Sequence, residues 1–241
     1  MRDAAGVARA GAVRAARALL SPTGLRGASV ELAWTTAHFA FYPLGLLREK
    51  VHHPGDHYSL RELAPWQRGL VIGDVATAGT PILLVHGFVD NRSIFTLLRR
   101  SLRRRGFGRV VTMNYPVFTH DIPGAAARLG RQVEQLCGET GYERIHVIGH
   151  SLGGLIARYY VQRLGGDARV HTLATLGTPH QGTHLARLLN TSVVRQLRPG
   201  SPLLRELAAP SPGCQTRVVA IWSDLDQLVF PQRFARLEHP D

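Results

Sequence analysis

The chain has 241 residues, enough for one α/β domain with a real core and tight for two. Hydrophobic residues make up 44% of it, which excludes wholesale disorder. The formal charge of +12 is carried almost wholly by arginine, Lys50 being the only lysine, and two cysteines are too few for a disulfide framework.

The arginines are spread along the chain, with the densest group at Arg99, Arg100, Arg103, Arg104 and Arg105. That group ends a predicted helix, where cations suit the dipole and water solvates them. A +12 charge raises nucleic acid or an anionic membrane as partners. The chain has no recognition module and no interleaving of aromatics with arginine, so no nucleic-acid partner is expected. Cys137 and Cys214 lack metal-ligand spacing and read as inert thiols, with a single disulfide between them left open.

Residues 1–65 form an N-terminal extension. It opens with Arg2, Arg9, Arg14 and Arg17 among alanines and glycines, and Ser21-Pro22-Thr23-Gly24 breaks that run. Ala28 to Leu47 is apolar and long enough to span a bilayer, but Glu31 and Pro43 fall inside it. The preferred reading is a helix packed on the domain or lying on a membrane surface. A true span and a divergent export signal are the alternatives, and no convincing cleavage site is present. His52, His53 and His57 lie in a polar stretch without further ligands and read as loop residues.

From about residue 66 to 241 the pattern is that of one α/β domain. Pro81 to Val85 is a buried strand, and Ser93 to Arg105 a helix with Ile94, Leu97, Leu98 and Leu102 along one face. Arg109 to Asn114 is a strand, Gly124 to Gly138 a helix, and Arg144 to Ile148 a strand. Leu152 to Leu164 is a helix and Val170 to Leu176 a strand. A helix-rich stretch begins at Thr183, with Leu185, Leu188, Leu189 and Leu197 as an apolar stripe. Arg217 to Trp222 is another buried strand. Continuous apolar strands separated by helices predict a mostly parallel sheet covered on both faces.

The strongest chemical signal is Gly149-His150-Ser151-Leu152-Gly153, followed by Gly154. An apolar strand runs into it and an apolar helix runs out. A serine on so sharp a turn is lifted above the sheet, and flanking glycines let neighbouring backbone pass without Cβ clashes. Ser151 is therefore the candidate nucleophile. Acyl transfer also needs two N–H donors for the oxyanion. One is expected from Leu152 and the other from Phe88, in the loop after Val85-His86-Gly87.

His86-Gly87, Gly149 to Gly154 and Leu176-Gly-Thr-Pro-His-Gln-Gly-Thr183 together resemble the bacterial triacylglycerol lipase and esterase group of the α/β-hydrolase fold. The resemblance runs from about Thr80 to Pro231. It implies carboxylic ester hydrolysis through a serine acyl-enzyme, lipid or small ester substrates, and no metal or organic cofactor. It also implies the order nucleophile, acid, histidine along the chain. That order disfavours His86 as the base, and His180 matches a loop residue of the family rather than its catalytic histidine. Two aspartates, Asp224 and Asp226, follow the last predicted strand. Similar lipases place the acid three residues before a valine, which selects Asp226 ahead of Val229.

The histidine base is expected after a further helix and strand. Only His239 follows Asp226, with no strand before it, so the domain is expected to be C-terminally incomplete and inactive as it stands. A non-catalytic lipid-binding or scaffolding relative is the alternative, as is an acyltransferase or thioesterase using the same machinery. Pro116 to Pro123 and Thr183 to Leu207 are candidates for an acyl pocket or lid, with core packing as the plainer reading.

Overall fold

Ile82–Val85, strand β1, has all four side chains buried, as a strand covered on both faces must. The computed structural model describes residues 79–87, 95–113, 121–224, 226 and 228–237. The N-terminal extension, His52, His53, His57, Phe88 and His239 lie outside them. Beside β1 run β2 (Val110–Met113) and β3 (Ile145–His150), followed by β4 (Val170–Leu176) and β5 (Arg217–Ile221). The order is β2-β1-β3-β4-β5, and every described pairing is parallel.

Parallel neighbours need crossovers, and single helices supply the first three of the four along the chain. They are α1 (Thr96–Arg104), α2 (Ile122–Thr140) and α3 (Leu152–Arg163). Alternate residues of β1 serve two cores. Leu83 and Val85 join α2 and α3, while Ile82 and Leu84 pack with Phe95, Leu98 and Leu102 on the α1 side. Truncating Leu83 to alanine would cost about 2–5 kcal/mol, the usual range for a fully buried leucine.

Helix α2 is longer than the sequence pattern suggests. Asp121 caps it by accepting the Gly124 N–H, Pro123 fits its first turn, and Gly141 ends it at φ 72°. Its buried stripe runs from Ile122 to Cys137 at helical spacing. In contrast, the predicted apolar face of α1 is only partly used. Leu97 is 63% exposed, because Leu98 and Leu102 alone turn towards the sheet.

Two further expectations change with the structure, and the reading of both cysteines as free thiols holds. The helix-rich stretch from Thr183 is a 3₁₀ turn (His184–Arg187) and two short helices, α4 (Ser192–Gln196) and α5 (Pro202–Ala208), and its expected leucine stripe does not hold together. Thr191 and Ser201 each cap a new start, so the stripe breaks. Leu197 is buried, whereas Leu185, Leu188 and Leu189 face solvent. Strand β5 is half-buried rather than buried, since among the described residues only β4 pairs with it. Both thiols are free, Cys137 buried and Cys214 partly so.

Candidate active site

Ser151 has φ 51° and ψ −120°, and it is the one non-glycine among the described residues with positive φ. That backbone is strained by about 1–3 kcal/mol and persists only where its surroundings impose it. The surroundings are visible. Ser151 N–H donates to Leu176 O at 2.9 Å, and Gly154 N–H donates to Ser151 O at 3.1 Å. The serine thus sits between the end of β3 and the start of α3, half-buried and at the carboxyl end of the sheet.

The glycines are where close approach demands them. A Cβ on Gly149 would lie 2.5 Å from Gly154 Cα. One on Gly153 would strike the carbonyls of Val85 and His86, and one on Gly154 would strike Thr178 Oγ1. Three stretches distant in sequence therefore meet at the serine turn: the end of β1, the turn itself, and the string after β4.

Leu152 is buried at the first position of α3. The first N–H groups of a helix have no intrahelical partner and carry the positive end of its dipole. The Leu152 amide is therefore suited to an anion beside Ser151. The second expected donor, Phe88, lies outside the described residues. His86 is fully buried, with Nδ1 3.0 Å from Gly87 O, so it braces the loop that leads to Phe88.

Asp226 Oδ1 accepts the N–H groups of Leu228 at 2.9 Å and Val229 at 3.0 Å. Its Oδ2 lies 3.1 Å from where a Cβ on Gly177 would stand, at the mouth of β4. Gly177 N–H in turn donates to Ile221 O, the end of β5. One carboxylate oxygen is fixed by backbone and the other faces the carboxyl end of the sheet. Asp224 is exposed. Among the described residues no histidine is hydrogen-bonded to Ser151 or to Asp226.

His180 is buried against Arg158, whose Nη1 lies 3.5 Å from its Nδ1, while its Nε2 lies 2.9 Å from Thr175 Oγ1. Desolvation, with Arg158 adding repulsion, pushes its pKa down to about 3. The ring is therefore neutral, and Nδ1 accepts from the guanidinium, which leaves Nε2–H to donate to Thr175. Such a histidine ties the string after β4 to α3 and is a poor proton acceptor at neutral pH. Arg158 also donates to Gln162 Oε1 and to Leu207 O at the end of α5, where carbonyls favour a cation. Burial lowers its own pKa to about 10, the nearby Arg163 adding to the effect. Nothing in the motif reading singled out Arg158. Its sequence signal was an arginine inside the apolar run Leu155 to Val161.

No group of three potential metal ligands occurs among the described residues, and no described helix is long and apolar enough to cross a membrane.

A family model described as the alpha/beta hydrolase fold matches residues 80–198. The chain has the α/β-hydrolase fold. The α/β-hydrolase domain is similar in sequence to the lipase and esterase group of that fold. It is 28% identical to a lipase of Staphylococcus epidermidis, over 48% of this chain and 26% of that protein. It is 30% identical to a triacylglycerol lipase of Pseudarthrobacter phenanthrenivorans, over 44% of this chain and 35% of that one. The chain thus spans well under half the length of these curated relatives. Aspergillus fumigatus lipase B superposes with a TM-score of 0.57 at 19% identity, covering 68% of this chain and 42% of that one.

Proposed function

We propose that this domain hydrolyses carboxylic esters of lipids or small acyl compounds, as a lipase or esterase, through an acyl-enzyme on Ser151. The observation that carries the reading is the strained Ser151 turn, wedged between the end of β1 and the string after β4. Bystander serines have no reason to hold φ 51°.

In the proposed reaction Ser151 Oγ attacks the acyl carbon, and its proton passes to a histidine. The carbonyl oxygen becomes an oxyanion held by the N–H groups of Leu152 and Phe88. The tetrahedral intermediate collapses, the histidine returns the proton to the leaving alcohol, and an acyl-Ser151 ester remains. Water then attacks that ester by the same route and frees the acid. Asp226 accepts a hydrogen bond from the histidine, setting its tautomer and stabilising its charged form. The histidine is taken to lie outside the described residues, because no described histidine is hydrogen-bonded to Asp226 and His180 is committed to Arg158 and Thr175. No metal or organic cofactor takes part.

The test is ester hydrolysis by the 241-residue chain and by a form continued into whatever sequence is encoded after Asp241. We expect turnover of p-nitrophenyl esters only in the longer form, abolished by Ser151→Ala. Turnover by the 241-residue chain that His239→Ala removes would put the base at His239 instead. Full turnover in a Ser151→Ala variant would refute the mechanism.

A further inference from the structure

The segments Gln181–Leu189 and Leu228–Arg236 are stitched together. Thr183 Oγ1 donates to Leu228 O and accepts the Phe230 N–H, both at 3.0 Å. His184 N–H donates to Phe230 O at 2.9 Å, and Gln181 N–H to Phe234 O at 3.0 Å. On these joined segments Leu188 is 78% exposed, Leu228 69% and Leu189 55%, with Leu185 and Phe230 also in solvent. A single exposed leucine is ordinary, but several on adjoining segments form a patch that needs a partner. The leucines are held outward rather than frayed. Arg198 Nε donates to Ala186 O at 3.1 Å, and its Nη2 to Leu189 O at 3.2 Å.

The charged side chains on the segments that carry them are all basic, with Asp226 and Glu238 flanking the second segment. From Arg169 to Arg205 the sequence contains no Asp or Glu, and neither does Leu228 to Leu237. Arg187, Arg195, Arg233 and Arg236 are all exposed there.

We infer that this surface docks on an anionic phospholipid bilayer, the leucines entering the headgroup boundary and the arginines pairing with lipid phosphates. Apolar insertion and a basic patch are the two signals that together hold a protein on a membrane, each being too weak alone. A second copy of the chain is disfavoured, because a two-fold contact would set these arginines against one another. The surface borders the carboxyl end of the sheet, Leu228 being two residues past Asp226. Docking there would bring lipid to Ser151, a consequence that rests on the proposed ester hydrolysis. The docking itself does not.

The test is vesicle flotation of the 241-residue chain and its variants. Vesicles of phosphatidylcholine alone are compared with vesicles containing phosphatidylglycerol, at low and high salt. We expect binding at least about tenfold stronger on the anionic vesicles and weakened by salt. Leu188→Ser with Leu189→Ser should reduce it about tenfold, and Arg187→Gln with Arg195→Gln about fivefold per charge removed. Melting temperatures should stay unchanged, since all four side chains are exposed. Wild-type-like binding by both variants would overturn the inference and assign any attachment to the basic N-terminal extension. Equal binding to neutral vesicles would overturn it too. So would a dimer, seen in sedimentation, that the leucine variant dissolves. If binding follows the expected pattern while the form continued past Asp241 turns over no ester either, the surface stands and the enzymatic reading fails.

Discussion

Val229 N–H donates to Asp226 Oδ1 at 3.0 Å, so the valine three residues past the proposed acid is part of what holds its carboxylate. With Leu228 N–H on the same oxygen, the carboxylate has one side committed to backbone and one side facing Gly177. Asp226→Asn keeps an acceptor for the two amides but sets an NH₂ where the base needs an acceptor. Its kcat for ester hydrolysis should fall by roughly 10³–10⁴-fold in the active form. Asp224→Asn, at an exposed position, should change the rate about twofold at most. Steady-state kinetics on the two variants decides between them, and the reverse ranking would show Asp224 to be the acid.

Gly153→Ala and Gly138→Ala should move stability in opposite directions. A Cβ at Gly153 meets the carbonyls of Val85 and His86, which are backbone and cannot swing away. That variant should lose several kcal/mol or fail to fold, as overpacking against backbone does. Gly138 lies in α2, exposed, with nothing within 4 Å of an added Cβ. Alanine there should stabilise by about 0.5–1 kcal/mol. Thermal melts read both, and a tolerated Gly153→Ala would mean that the end of β1 does not abut the serine turn.

His180 should make the domain acid-sensitive. Its folded pKa of about 3 lies below the ordinary histidine value, so between the two the unfolded chain binds the extra proton. Stability from this group is therefore complete above about pH 6.5 and is lost as pH falls towards 3, by at most about 1.4 kcal/mol per pH unit. Urea melts from pH 7 to pH 4 should show that slope, flattened in His180→Asn. An unchanged slope in the variant would place the acid sensitivity elsewhere.

Much of the fold was legible because its signals are local. Buried parallel strands such as Ile82–Val85 are continuous apolar runs, and the serine turn is a short string fixed by steric need. What was not legible depends on partners far along the chain. Leu97 and Leu98 look alike in sequence, and only the position of the sheet decides which is buried. The leucines after Thr183 keep a helical spacing, yet Thr191 and Ser201 cap new starts and turn three of them to solvent. The same holds at the site. The Asp226 spacing was readable, but the bracing of His180 by Arg158 joins residues whose link exists only once α3 lies beside the string after β4.

The central claim is that Ser151 is the nucleophile, and covalent labelling tests it most directly. A preparation that hydrolyses p-nitrophenyl esters is treated with a fluorophosphonate, and the modified peptide is mapped by mass spectrometry. One adduct, on Ser151, formed in step with loss of activity and absent in Ser151→Ala, is the predicted result. An active preparation that stays unlabelled, or carries its adduct on another residue, would contradict it.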